Sequence, residues 1–345
     1  VPIRDGGSLA TSGRDSHRLC CGATRHGRGP PGADMTSRNT VLVAGSANLD
    51  FVVRAPHIPA PGETVLGGDF RTFPGGKGAN QAVACARAGG ARTRMLVALG
   101  VDAFANPLEE SLRAAGVDAR IVRVPDEATG VAFICLSADA ENAITVAPGA
   151  NSRLRAADLP ELSGVSHLLL QLESPLDAVL AWARAARDAG VRVVLNAAPA
   201  RPLSMELLAT IDVLIVNEGE LRAIAGEGGI SAAVARLAGI DVIVTLGARG
   251  SCAHAQGEWL LQPAFEVEAI DTTGAGDTFC GVFVAALAQG HEFADALRRA
   301  SAASALACTR LGAQSAVPAH AEIDALLVAG RPTSLVALRR YCGLE

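Results

Sequence analysis

Aromatic residues are scarce in this chain of 345 residues, only 3 % of it, with two Trp and a single Tyr. Its apolar half comes from Ala, Val and Leu, which suits helices laid on buried parallel strands and argues against an all-β sandwich. Basic runs are also missing. With a net charge of −5 and no Lys/Arg stripe, the chain has no electrostatic footprint for nucleic acid. Apolar runs such as 168–170 and 242–246 stop far short of the roughly 18 residues of a membrane span, and the start carries no apolar signal-peptide core. The cysteines (Cys20, Cys21, Cys85, Cys135, Cys252, Cys280, Cys308 and Cys342) are scattered, with no C-x-x-C and no paired His. That spacing excludes a zinc site or a disulfide framework and fits a reducing cytoplasm.

What is present divides into three stretches. Residues 1–38 are rich in Gly, Pro, Ser and Arg and lack apolar periodicity. We expect a disordered leader, upstream of a true start at Met35 rather than a functional extension. From residue 39 to about 330, short strand-like runs at 41–45, 94–99, 167–171, 192–196, 213–216 and 241–246 alternate with helical stretches at 78–88, 104–115, 175–189, 218–225, 230–238, 275–289 and 292–309. This alternation predicts an α/β fold: a doubly wound, mainly parallel sheet with helices on both faces and ligands at the carboxyl ends of the strands. Two regions, 50–73 and 120–147, add strands without helices, and are expected to form a small separate sheet. The second contains a hairpin around Asp139-Ala140-Glu141-Asn142. Residues 331–345 read as a tail.

The sharpest motif is Asp271-Thr272-Thr273-Gly274-Ala275-Gly276-Asp277, followed by an apolar helical run. Small residues at a helix start leave backbone N–H groups open to an anion, and the helix dipole adds to the attraction. Asp277, just inside, could accept a proton from an attacking hydroxyl. The bland alternative is a Gly-rich loop with an acid favoured in a first turn. A second motif, Gly75-Gly76-Lys77-Gly78-Ala79-Asn80-Gln81, lets a ligand approach the backbone and offers donors suited to vicinal hydroxyls; its spacing is not that of a P-loop. Taken alone it would more often be a turn. Asn48 and Asp50 close the first strand, and Glu173 follows another. Asn217-Glu218-Gly219-Glu220 begins a helix at a strand end, where acids either recruit Mg²⁺ through water or answer the dipole. Thr245-Leu246-Gly247-Ala248-Arg249-Gly250 suits either a hairpin turn or the edge of a nucleotide.

Together these motifs resemble the ribokinase or PfkB family of carbohydrate kinases, from about residue 41 to 328. The two Gly-rich motifs match the family's N-terminal and C-terminal signatures, with further similarity in Pro61-Gly62-Glu63-Thr64, Pro148-Gly149-Ala150-Asn151, Gln171-Leu172-Glu173 and Gly312-Ala313-Gln314. The likeness is greater to the ribokinase branch than to fructokinases or adenosine kinases. The resemblance implies an ATP-dependent sugar kinase acting on the 5-hydroxyl of ribose, with Asp277 as base and Gly274, Ala275 and Gly276 as anion hole. Asn48, Asp50, Gly76, Lys77, Gly78, Ala79, Asn80 and Glu173 would hold the sugar. Asn217, Thr245 to Gly250, Gly276 and Ser301 would hold the nucleotide, and Glu220 would serve Mg²⁺ through water. Asp271, Thr273, Ala307, Arg310 and Gly312 would bind an activating potassium ion. The strands of 50–73 and 120–147 would form a lid and the interface of a cytoplasmic homodimer.

Two positions depart from the family pattern. Ser301 stands where an Asn or His often meets the adenine, and Ala316 where a Ser commonly completes the potassium site, leaving that site weaker or completed by water. Rival readings are a family kinase for another acceptor (deoxyribose, fructose, a keto-deoxy sugar acid or a nucleoside) and a non-catalytic sugar sensor. The aromatic shortage argues against a nucleoside, and the intact Gly274, Gly276 and Asp277 argue against a sensor.

Overall fold

The computed structural model describes residues 39–137, 139 and 142–344. The expected leader with Met35 lies outside these residues, as do Ala140 and Glu141 of the anticipated hairpin tip. In chain order the strands are β1 (Thr40–Ala44), β2 (Asn48–Arg54), β3 (Phe70–Gly75), β4 (Arg92–Gly100), β5 (Asp118–Val124), β6 (Val131–Leu136), β7 (Asn142–Ala147), β8 (Val165–Leu170), β9 (Arg192–Asn196), β10 (Val213–Asn217), β11 (Asp241–Thr245), β12 (Gly250–Ala255) and β13 (Glu258–Pro263). The helices are α1 (Lys77–Val83), α2 (Ala105–Ala114), α3 (Leu176–Asp188), α4 (Met205–Leu208), α5 (Glu218–Ala225), α6 (Ile230–Ala235), α7 (Ala275–Ala288), α8 (Phe293–Ala307), α9 (His320–Ala329) and α10 (Leu335–Tyr341).

Among the described residues, a nine-stranded sheet runs β13-β12-β11-β10-β9-β8-β1-β4-β5, parallel except for β12 and β13. Both faces are buried, as parallel sheets require. Along β1, Val41 and Val43 enter the core under α1, α2, α7 and α8, while Leu42 and Ala44 enter the one under α3, α5 and α6. The chain leaves β1 on one side for β4 and β5 and returns on the other side at β8, so β1 and β8 flank the switch point where doubly wound sheets bind ligands.

A four-stranded sheet, β3-β2-β6-β7, stands apart as the expected lid. Its membership differs from the sequence reading. Asp118–Val124 does not join it but pairs parallel with β4 at the edge of the large sheet. The reason is α2, which lies between β4 and β5 and supplies the crossover that parallel neighbours need. Thr245–Gly250 proves to be a hairpin turn, a short 3₁₀ segment joining β11 to antiparallel β12.

Residues 331–344 are not a loose appendage. Thr333 N–H donates to Ala264 O at 2.8 Å, Glu266 N–H donates to Arg331 O at 2.9 Å, and α10 buries Leu338 in the core on the α3 face.

Candidate active site

The carboxyl ends of β1, β8, β9, β10 and β11 deliver Ser46, Glu173, Asn196, Asn217 and Thr245 to one end of the sheet, and the first turns of α1 and α7 close over them. Gly76 caps α1 with φ 86°, and a Cβ there would lie 2.7 Å from Ala47 Cα and Asn48 N. Only glycine fits so close an approach. Gly274 begins α7 in the left-handed conformation, φ 73°. The turn places Asp277 third in the helix, buried, below the free amides of a helix start.

Both oxygens of Asp277 are held by amides. Asn80 Nδ2 donates to Oδ2 at 3.0 Å and Gln81 Nε2 to Oδ1 at 2.9 Å. Asn80 in turn accepts from Gln314 Nε2 at 3.1 Å, and Gln314 Oε1 accepts from Ser111. The nearby charges are Lys77 and four acids. Lys77 is held above its ordinary pKa chiefly by Asp277, then by Glu173 and Glu220, against the opposing effect of burial. Asp50 is pushed up to about 7 by burial, then by the negative charges of Glu173 and Asp277. Burial likewise raises Glu220, although the Asn217 amide and Lys77 pull the other way.

Three hollows meet at this end. One of about 260 Å³ lies between the lid and the 271–273 and 311–313 loops, and holds Asp50, Arg54 and Phe73. A second, about 240 Å³, is lined by Lys77, Asn217, Glu220, Gly274, Gly276 and Asp277. The third, about 440 Å³ and more apolar, runs from Thr245, Gly247, Ala248 and Gly250 past Phe265 to Ser301 and Ser304. Thr245, Thr272 and Gly276 line both the second and the third. An acid thus sits at a helix N-terminus between a polar hollow and a longer apolar one, an arrangement able to deprotonate a hydroxyl beside a bound polyanion.

Several residues named from sequence already have partners within the protein. The amides of Gly78 and Ala79 are turned to Ser46, at 3.4 Å to Oγ and 2.8 Å to O, and both residues are buried. Ala275 N–H is committed to Thr272 O at 3.2 Å, so this amide is not free for an anion. The Asn48 side chain accepts from Asn151 Nδ2 at 2.9 Å, and Glu173 accepts from Ser46 Oγ at 2.5 Å and Lys77 N–H at 3.1 Å. Leu246 is buried, and Arg249 stacks on Tyr341 at 4.1 Å outside the hollow. Sequence reasoning missed the wall formed by Ala264, Phe265, Glu266, Val267 and Thr333, which carry no motif. It also gave no role to Gln81, Gln171 and Gln314, which stand inside quoted motifs, or to Asn196 at the end of a strand-like run, since no spacing reveals an inward-turned amide.

The donor sets fit the two expected cations. Asn217 and Glu220 cap α5 reciprocally, each bond 2.8 Å, so Glu220 Oε2 is used and Oε1 remains for a hydrated divalent ion beside Lys77 and Asp277. At the other site, Ile270 and Asp271 N–H both bond Cys308 O, while Asp271 accepts from Thr273 N–H at 2.9 Å and Gly312 N–H at 2.8 Å. These bonds gather carboxylate, hydroxyl and carbonyl oxygens, hard donors suited to a monovalent ion. Ala316 offers no side-chain oxygen, and Ser315 Oγ is spent on Leu311 O at 2.7 Å. Arg310 pairs with Glu322, and the Ala307 carbonyl accepts Arg310 N–H at 3.3 Å.

Fold and site together define an α/β small-molecule kinase with a β-sheet lid. The chain belongs to the pfkB family of carbohydrate kinases, whose family model matches residues 38–320. The ribokinase of Haemophilus influenzae is 41 % identical over 298 residues, 83 % of this chain and 97 % of that protein. That of Bacillus subtilis is 38 % identical over 292 residues, 83 % of this chain and 99 % of its own length. Among solved structures, Thermotoga maritima ribokinase superposes with a TM-score of 0.77 at 36 % identity, covering 84 % of this chain and 99 % of that one. Arabidopsis thaliana ribokinase, complexed with ribose and ATP, gives 0.75 at 35 % identity, covering 84 % and 98 %.

Proposed function

We propose that this chain transfers the γ-phosphoryl group of ATP to the 5-hydroxyl of D-ribose, giving ribose 5-phosphate and ADP. The observation that carries this reading is Asp277, a buried carboxylate at a helix N-terminus in a polar hollow that shares its wall with a longer apolar one, in a chain 41 % and 38 % identical to two ribokinases. Catalysis on this geometry is positioning plus electrostatics. The sugar lies under the lid against Asn48, Asp50, Gly76, Lys77 and Glu173, and the adenine lies along Gly247, Ala248, Gly250 and Ser301. Asp277 accepts the proton of the attacking hydroxyl, and the Gly276 and Asp277 amides with Lys77 face the charge on the transferring group. Glu220 would hold Mg²⁺ through water, and the ion would supply neutralisation of phosphate charge. Closing the lid over the cleft excludes water and suppresses wasteful hydrolysis.

The same reading extends to a cytoplasmic homodimer activated by potassium. Phe70 and Phe133 stand 62 % and 55 % exposed on one face of the lid, apolar area that a second copy would cover. The test is a coupled ADP-release assay with MgATP and ribose, deoxyribose, fructose, adenosine or a keto-deoxy sugar acid, with potassium or sodium. Ribose-dependent turnover that rises with potassium is expected. In Asp277→Asn, kcat should drop at least about 100-fold with sugar binding retained. Preference for another acceptor would overturn the substrate, and no turnover on any of them would return the sensor reading.

A further inference from the structure

Gln81 lies 196 residues from Asp277 in sequence, yet its side-chain amide donates to Asp277 Oδ1 at 2.9 Å. Helices α1 and α7 can bring the two together because Gly281 lets their backbones touch: a Cβ there would fall 2.5 Å from Gln81 O and 2.6 Å from Ala84 Cβ. The Gln81 side chain is fully buried, and both of its N–H groups and its oxygen bond within the protein. Its Nε2 also donates to Asn196 Oδ1 at 2.9 Å, and its Oε1 accepts from Gln171 Nε2 at 2.6 Å.

The direction of these amides is dictated rather than chosen. Asn196 Nδ2 donates to the Ile215 carbonyl at 3.2 Å, a group that can only accept. Asn196 must therefore turn its oxygen to Gln81, Gln81 must turn its NH₂ toward both Asn196 and Asp277, and Gln171 must present its own NH₂ to Gln81 Oε1. Gln171 fits only because residue 45 is glycine, since a Cβ there would lie 2.0 Å from Gln171 Oε1.

We infer that Gln81, oriented by Gln171 and Asn196, is the positioning residue of Asp277. This rests on the reading of Asp277 as the base. Gln81 and Asn80 each take one lone pair on one carboxylate oxygen, which fixes the rotamer and leaves the other lone pairs for the hydroxyl. Neither amide can accept a proton, so the network is no relay, and a proton reaching Asp277 remains there until it exchanges at the cleft.

The test compares steady-state kinetics of the parent, Gln81→Glu and Gln171→Met from pH 6 to 8.5, alongside thermal melts. Gln81→Glu is isosteric and keeps an acceptor for Gln171, but loses both donors and sets a carboxylate against Asp277. At pH 8 its kcat should fall by up to about 100-fold, the scale of a misplaced catalytic group, with the sugar KM within about two-fold. The variant-to-parent ratio should then rise as pH falls, because two carboxylates sharing a site hold one proton more tightly and a protonated Glu donates again. A merely structural role would leave that ratio flat across pH, and a flat ratio or a parental kcat at pH 8 overturns the inference. Should Gln81→Glu fail to fold, Gln171→Met carries the test. It leaves the bonds to Asp277 possible but unties the Gln81 amide, so a lower kcat at unchanged sugar KM is expected, and parental kcat refutes it. A parent without sugar-dependent turnover removes the base and this inference together, which separates that failure from a failure of Gln81 alone.

Discussion

Asp50 and Asp271 are both acids beside the lid hollow, with opposite consequences for stability. Asp50 is pushed up to about 7 by burial and by Glu173 and Asp277, so the folded chain binds its proton more tightly than the unfolded chain does. Stability from this group is therefore largest at low pH and is lost as pH rises through the window from about 4 to about 7. Asp50→Asn cannot ionise, so it should melt above the parent at pH 8, by about 1–2 °C for each kcal/mol recovered, with the gap narrowing toward pH 4. The same variant should raise the sugar KM, since an ionised acceptor has been removed. Paired melts and kinetics check this, and equal melting at pH 8 would mean that the acids of the site carry no strain. Burial also acts to raise Asp271, but the Thr273 hydroxyl, the Gly312 and Thr273 amides and Arg54 outweigh it and hold the carboxyl below its ordinary value. Its contribution has the reverse sign: present above the ordinary carboxylate range and lost on acidification.

At the scale of elements, the start of α7 is tied to the 311–313 loop, which carries the proposed potassium ligand Gly312. A Cβ on Gly274 would lie 2.8 Å from both Ala313 Cα and Cβ, on a backbone at φ 73°. Gly274→Ala should therefore displace the 311–313 loop, lower kcat/KM for ATP by about 10- to 100-fold, toward the scale of a lost oxyanion donor, and change the potassium requirement, as ATP and potassium titrations would read. Glycines of this kind made the site legible in sequence, because tight approaches and left-handed turns admit no other residue. The same holds for the parallel strands, whose continuous apolar runs mark two buried faces. Asp118–Val124 was misplaced because strand type does not reveal a partner: the same apolar alternation suits a lid edge or the edge of the large sheet, and only the helix between β4 and β5 decides. The wall at 264–267 was invisible for a different reason, since Ala264, Phe265, Glu266 and Val267 form no motif and look like any loop. The inward amides of Gln81 and Gln171 belong to that class too, as polarity along a strand or helix does not say which way an amide turns.

At the scale of the whole molecule, the last helix joins core stability to the nucleotide side. Leu338 on α10 is only 2 % exposed and packs in the core on the α3 face, so Leu338→Ala should cost about 2–5 kcal/mol in urea unfolding. The same segment reaches the apolar hollow by two routes: Thr333 lines it while bonded to Ala264 O, and Tyr341 carries the Arg249 guanidinium on its ring and donates to Glu218 at 2.6 Å. Glu218 begins α5, one residue after Asn217, which lines the central hollow. Loosening α10 should therefore loosen both the 247–250 turn and the start of α5, while the sugar-side contacts of Asp50 and Glu173, made by β2 and the end of β8, are untouched. The KM for ATP should rise severalfold in Leu338→Ala, and the KM for sugar should stay at the parental value. An ATP KM that does not move despite the lost stability would reduce α10 to a packing element and leave the nucleotide hollow to the 245–250 and 264–267 segments alone.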